Sequence, residues 1–260
     1  MKKLISKILI AVLFFTSVVF QFGMNPREAY AAAVELYSTP LFSDANLQSY
    51  YRMEGNSNDS KGSVHGTDTS ITYNASYGKF GQGASFNGTS SFINLGTSVF
   101  NYTELSITFW LPNKGTDKTA YIFARSKNQD IWAYLGIVWV SSYLYLSTNI
   151  TGSQKRVMPY SSVSNGDHFV FNLKSDGTAQ VYRNGSLITP TDTLSGFDAW
   201  NNNITESTSL GRAGAFNNYY FDGYLDDVAV FNRLLTSTEI SNLYNGTWPA
   251  SATPTFMFFD

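Results

Sequence analysis

Between about residues 106 and 188 the chain runs in short apolar or alternating stretches separated by clusters of Gly, Asn, Asp and Ser. Period-two alternation bounded by turn residues predicts β-strands. Residues 106–110 form an early strand, and 121–125 and 131–140 follow on either side of a polar turn at 126–130. Residues 143–146 alternate Tyr and Leu, and 168–173 pairs with 179–182 across Ser175-Asp176-Gly177. Asn184-Gly185 then turns the chain into 186–188; Asp-Gly and Asn-Gly supply the positive φ angles that tight hairpins require. The pattern is a meander of antiparallel strands, as in an all-β, two-sheet sandwich. One helix is predicted late in the chain: Thr236-Ser237-Thr238-Glu239 fits a capping box, Ile240, Leu243 and Tyr244 recur at helical spacing, and Gly246 ends it.

Composition points the same way. Hydrophobic residues make up 43% of the 260 positions, aromatics 16% and charged residues 14%, with 20 glycines, so one sizeable core is available and strands are favoured over helices. The net charge of −2 lacks the basic excess that phosphate neutralisation needs, which argues against nucleic acid as a partner. With no Cys, disulfides, thiolate catalysis and Cys-ligated zinc drop out. Residues 1–31 carry Lys2, Lys3 and Lys7, an apolar run over 8–15, and Ala29-Tyr30-Ala31, the features of a cleaved signal peptide. Polar Thr16, Ser17 and Gln21 interrupt the run before a membrane-spanning length is reached. The mature chain is therefore expected to be secreted or displayed at the cell surface, without a membrane span. Removing Lys2, Lys3, Lys7, Arg27 and Glu28 from the 17 basic and 19 acidic residues leaves it a net charge of −5. The expected organisation is a signal peptide (1–31), a lead-in segment (32–46), one domain (47–248) and a tail (249–260). The apolar 256–259 of that tail either docks on the domain or marks a chain cut from a larger multidomain parent. Eight Asn-x-Ser/Thr sequons fit a glycosylated ectodomain, but a chain rich in Asn, Ser and Thr produces them freely in turns.

Several strings, in order, resemble a known family. Leu47-Gln48-Ser49-Tyr50-Tyr51-Arg52-Met53-Glu54-Gly55-Asn56, Asp59-Ser60-Lys61-Gly62-Ser63-Val64-His65-Gly66, Gly81-Gln82-Gly83-Ala84-Ser85-Phe86-Asn87-Gly88 and Phe92-Ile93-Asn94-Leu95 are similar to the N-terminal half of laminin G-like domains of the concanavalin A-like lectin/glucanase type. Phe221-Asp222-Gly223-Tyr224-Leu225-Asp226-Asp227-Val228 and the helix that follows resemble the closing strand and helix of the same domains. The resemblance covers about 47–247. It implies a jelly-roll β-sandwich used outside the cell to bind glycans or proteins, with a structural calcium ion held by Asp59, carbonyls around Gly62 and His65, and Asp226 or Asp227. Six to eight oxygens from carboxylates and carbonyls suit that ion. Asn56, Asn58 and Asp59 can equally form an Asx-rich turn, with Asp226 and Asp227 at a solvated strand edge.

Catalytic signals are few. The Glu-x-Asp-x-x-Glu string of laminarinase-type hydrolases is absent, the two histidines His65 and His168 lie near no Gly-x-Ser-x-Gly elbow, and no glycine-rich phosphate loop precedes a helix. Sugar binding needs aromatic faces and a few polar groups. Alternation over 131–140 puts Trp132, Tyr134, Gly136 and Val138 on one face, and Ile131, Ala133, Leu135, Ile137 and Trp139 on the core side. Trp132 and Tyr134 are thus expected to line a sheet face with Tyr143 and Tyr145 beside them. Trp200, Tyr219, Tyr220, Arg125 and Arg212 are candidates for its rim. The expectation is a non-catalytic recognition module for a polysaccharide or cell-surface glycan. The alternative is an adhesive protein-interaction domain of a larger surface protein, and a divergent glycoside hydrolase or lyase comes third.

Overall fold

Residues 168–173, predicted as a strand, show how the chain sorts its side chains. Phe169, Phe171 and Leu173 lie in the main core, whereas Val170 belongs to a second apolar cluster on the opposite side. Both faces of this strand are covered, which explains why the stretch reads as a continuous apolar run rather than an alternation. The computed structural model describes residues 33–97, 99–126, 133–148, 153–195, 207–213 and 219–248, all within the unit Ala33–Asp260.

In chain order the described strands are β1 (Leu47–Tyr51), β2 (Thr67–Thr69), β3 (Thr72–Asn74), β4 (Gly83–Ser85), β5 (Phe92–Thr97), β6 (Glu104–Asn113), β7 (Ala120–Ser126) and β8 (Ala133–Val140). They continue as β9 (Tyr143–Thr148), β10 (Ser153–Pro159), β11 (Asp167–Lys174), β12 (Ala179–Arg183), β13 (Ser186–Leu187), β14 (Ser207–Leu210) and β15 (Tyr224–Phe231). One helix, α1 (Ser237–Asn245), follows. The first sheet has the order β13-β12-β11-β6-β15-β4-β3, with β1 also paired to β15; the second runs β10-β9-β8-β7-β14-β5-β2. Every named strand pairing is antiparallel, the two-sheet sandwich that the strand pattern predicts.

Between the sheets, Phe109, Phe169 and Phe171 from the first meet Phe123, Leu135, Ile137, Trp139 and Leu146 from the second. The outer face of the first sheet is covered as well. Val170, Tyr182, Ala229 and Phe231 project there onto Leu235, Ile240 and Leu243 of the helical region and onto Leu36 and Leu41 of the lead-in segment. Burying such side chains is the dominant stabilising term for a chain without disulfides. The α1 start has the predicted geometry: Thr236 accepts from the Glu239 N–H (3.2 Å), and the Glu239 carboxylate accepts from the Thr236 N–H (2.8 Å). Gly246 closes the helix in the left-handed region at φ 67°.

Strand β15 changes partners midway. Tyr224 and Leu225 pair with β4, whereas Val228 to Phe231 pair with β1. Asp226 and Asp227 occupy the irregular step between the two, and Asp227 takes φ 49°.

Candidate functional site

The residues nominated for calcium all lie in the described part of the chain, and each is engaged in hydrogen bonding or loop closure. Asp59 is buried, and its Oδ1 accepts from the N–H groups of Tyr50 (3.0 Å), Lys61 (3.0 Å) and Gly62 (2.9 Å), its Oδ2 from Val64 (3.1 Å). The Asp59 N–H in turn donates to Nδ1 of His65 (3.1 Å). Gly62 has a steric reason to be glycine: a β-carbon there would stand 2.6 Å from the Gln48 carbonyl oxygen and 2.8 Å from Asp59 Oδ2. This is the Asx-centred turn that the sequence left open as an alternative.

Asp226 and Asp227 secure the partner change in β15. Asp226 Oδ2 accepts from the N–H groups of Lys79 (2.7 Å) and Phe80 (2.9 Å), and its Oδ1 from Asp227 N–H (2.9 Å). Asp227 accepts the Tyr50 hydroxyl and, at 3.4 Å, the Leu36 N–H, tying the lead-in segment to the sheet. Burial pushes the Asp226 carboxyl up to about 7 despite those donors; burial, and then the neighbouring Asp226, hold Asp227 well above the usual carboxylate range. All these oxygens face N–H or O–H donors, which present positive hydrogens where a cation would have to sit. Among the described residues no group of three or more acidic or histidine side chains is placed to hold a metal. As arranged, the Asp59, Asp226 and Asp227 carboxyls are committed to hydrogen-bond donors rather than turned together toward one cation.

The second sheet carries the ligand candidates. Leu135, Ile137 and Trp139 point into the core as the alternation predicts, and Val138 points the other way. The face on that other side is closed at its centre, however. Val138, Tyr121, Ala124 and Ala213 form a small buried cluster of their own, and Ser147, registered opposite Gly136, is fully buried. The half-buried aromatics lie at the β9–β10 edge. Tyr143 and Tyr145 project from β9 with ring centroids 6.3 Å apart at 71°. Arg156 of β10 is registered opposite Tyr145 and holds its guanidinium carbon 5.4 Å from the Tyr143 ring centroid. Asp192 fixes that arginine: Nη2 donates to Oδ1 at 2.9 Å and the Arg156 N–H donates to Oδ2 at 2.8 Å. The Asp192 carboxyl is held below its ordinary range, first by its side-chain hydrogen bond to Arg156. The sequence did not single out Arg156 or Asp192, because their juxtaposition to the tyrosines exists only once β9 and β10 are in register and the 190–194 segment folds back.

The remaining candidates disperse. Trp132 and Trp200 lie outside the described residues, and of Tyr134 only the backbone position in β8 is described. Tyr219 is exposed and meets Tyr121 edge-on at 6.4 Å, while Tyr220 is buried. Arg212 stacks on Phe92, 3.3 Å from the ring centroid, on the far side of the sheet order from β9. Arg125, expected at a rim, is instead 1% exposed and turned to the core side with Leu135 and Thr208 as cross-strand partners. His168 is sealed against Trp110 at 4.7 Å between ring centroids, with Nε2 2.7 Å from Thr108 Oγ1; burial lowers it to about 3, so it is neutral and away from any solvent-borne substrate.

Two antiparallel sheets, one backed by a helix and the other bearing an aromatic edge, define a lectin-like β-sandwich. The chain belongs to the concanavalin A-like lectin/glucanases superfamily, whose laminin G profile matches residues 87–241. The N-terminal strings 47–66 precede that span, and the structure places β1 in the same sheet as β15. No curated relative matches the chain in sequence. Among solved structures it is similar to domain 4 of AbnA, a GH43 extracellular arabinanase from Geobacillus stearothermophilus, in complex with arabinotriose. There the TM-score is 0.62 and the identity 22%, over 76% of this chain and 98% of that one. It is also similar to Trypanosoma rangeli sialidase in complex with the inhibitor DANA (TM-score 0.58, 15% identity), covering 90% of this chain but 38% of the sialidase. The binding domain of botulinum neurotoxin DC in complex with SialylT aligns with TM-score 0.54 and 16% identity, over 79% of this chain and 52% of the toxin chain. At these identities the likeness is one of fold.

Proposed function

We propose that this chain is an exported, non-catalytic recognition module that binds carbohydrate at the β9–β10 edge. The observation that carries this reading is the half-buried Tyr143–Tyr145 pair with the Arg156–Asp192 ion pair beside it. Aromatic rings offer flat apolar surfaces for sugar C–H faces, and a pinned guanidinium–carboxylate pair offers donors and acceptors for hydroxyls. Supporting it, the AbnA domain was solved with arabinotriose and the toxin domain with SialylT. The non-catalytic part is supported by the sealed His168 and by the Asp226 and Asp227 carboxyls, which are engaged with backbone donors and a tyrosine hydroxyl.

Tyr145→Ala is expected to weaken retention in polysaccharide affinity gels about tenfold, the equivalent of losing one aromatic contact of about 1.4 kcal/mol. Tyr37→Ala, on the exposed lead-in segment, is the control and is expected to leave retention unchanged. Unchanged retention in both Tyr143→Ala and Tyr145→Ala sinks the site assignment. A folded wild type that binds nothing on a broad glycan panel sinks the carbohydrate reading, and release of reducing ends sinks the non-catalytic one.

A further inference from the structure

We propose that the cleft between the end of β1, residues 62–64 and residues 99–102 is a binding site for a carboxylate group, with Arg125 as its counter-ion. This site is separate from the tyrosine edge, and either can fail without the other.

Arg125 is the starting point. It is 1% exposed, its Nη2 donates to the Asn101 Oδ1, and its Nε and Nη1 have no hydrogen-bond partner. No ion pair to Arg125 is present among the described residues, and burial alone lowers its pKa, to about 10, so it stays charged at neutral pH. A buried guanidinium with two open nitrogens and no counter-ion among the described residues is costly to keep, and the cost is relieved when an anion arrives.

Asn101 connects it to the surface. The same residue whose carboxamide oxygen meets Arg125 lines a cleft of about 420 Å³. Ser49 also lines the cleft, with its Oγ fully buried. Phe100, on the cleft wall, holds φ 58°, a left-handed conformation uncommon for a bulky side chain. Asn101, the acceptor for the buried guanidinium, and the left-handed Phe100 thus share one cleft wall.

The ligand class follows from charge. The Arg125 guanidinium, behind Asn101, supplies the positive charge, while the polar side chains that line the cleft itself, among them Gln48, Ser49, Ser63 and Asn101, are neutral. Lys61, next in sequence to Gly62, is turned away, with Nζ donating to the Phe42 carbonyl at 2.8 Å. A single guanidinium balances a monoanion, and its planar fork matches a carboxylate, whereas a phosphate dianion would leave one charge uncompensated. A carboxylate that takes the place of the Asn101 carboxamide oxygen meets Nη2 and one of the two open nitrogens. An acidic sugar and a simple carboxylic acid share this chemistry.

The test is thermal melting with acetate, glucuronate, glucose or phosphate at fixed ionic strength against chloride. At about ten times its Kd, either carboxylate is expected to raise the Tm by about 3 °C, with glucose silent and phosphate weaker. A rise with glucuronate but not acetate assigns the site to acidic sugars; a rise with both assigns it to carboxylates in general. Arg125→Met is expected to fold and to lose the response, and Tyr145→Ala to keep it. Asn101→Asp places a carboxylate on Arg125 from within the chain, and is expected to melt higher than the wild type and to ignore added acetate. Silence of the wild type to both carboxylates, an equal rise in Arg125→Met, or an Asn101→Asp protein that melts lower and still responds overturns the proposal.

Discussion

His168 shows what a single side chain does to the pH dependence of the whole fold. It is wholly buried, packed against Trp110 and hydrogen-bonded to Thr108, and burial, assisted by Lys79, brings its pKa to about 3 from the ordinary 6.5. Because the folded value lies below the unfolded one, the unfolded chain takes up the proton first as pH falls. Its contribution is complete above about 6.5 and is lost toward 3, at up to about 1.4 kcal/mol per pH unit. Asp226 acts in the opposite sense. Its carboxyl is raised to about 7, so the folded state binds the proton more tightly and that contribution is lost as pH rises from about 4 to 7. Comparing the wild type with His168→Gln separates the two, since Asp226 is common to both. The difference in urea-unfolding free energy is expected to be flat above pH 6.5 and to shrink steadily from there to pH 4; parallel curves over that range would exclude a buried neutral histidine. The sequence placed His168 at the opening of a strand, but its neutrality comes from Trp110, Thr108 and Lys79, which are 50 or more positions away in the chain.

At the scale of elements, local chemistry was readable and edges were not. The hairpin at Ser175-Asp176-Gly177 forms with Gly177 at φ 82°, and Asn184 and Gly185 take φ 51° and 78°, the conformations those residues favour. The capping box of α1 was readable for the same reason: every atom it needs lies within four residues. Strand β10, Ser-Gln-Lys-Arg-Val-Met-Pro, carries almost no alternation because it lies at the sheet edge and is held by register to β9 and by Asp192. The Asp59 turn fell between these cases. Its residues marked a turn, but only the folded chain shows one carboxylate serving four N–H groups from Tyr50 to Val64. Asp59→Ala leaves those donors without their acceptor in a part-buried loop, and is expected to lower the unfolding free energy by about 2–4 kcal/mol. Asp59→Asn keeps one acceptor oxygen and is expected to fall between. A midpoint in urea within error of the wild type for Asp59→Ala would show that the loop is solvated rather than built on this side chain.

Over the whole molecule, the sandwich is held by three apolar clusters and by the lead-in segment rather than by covalent staples. Leu36 and Leu41 pack on the outer face of the first sheet, Glu35 pairs with Arg52, and Asp44 pairs with Arg233, which also binds Glu239 of α1. The two-sheet plan was readable from strand number and turn chemistry. Which sheet face is covered was not, because Leu36 and Leu41 show no period and reach their contacts only after the sheets have formed. The same holds for the β9–β10 edge: Tyr143 and Tyr145 were readable as one face of a strand, their polar partners Arg156 and Asp192 were not. A calcium ion would be a further staple for a chain of net charge −2, and it is testable at this scale because a ligand that binds only the folded state must raise its melting temperature. The Asp59, Asp226 and Asp227 carboxyls already satisfy N–H and O–H donors, so bringing calcium to them would break those hydrogen bonds. Melting curves in excess calcium and in EDTA are therefore expected to coincide. A calcium-dependent rise of several degrees that disappears in Asp59→Asn would show that this turn opens to take the ion; a rise that persists in Asp59→Asn would place the ion elsewhere and leave the turn as the structure has it.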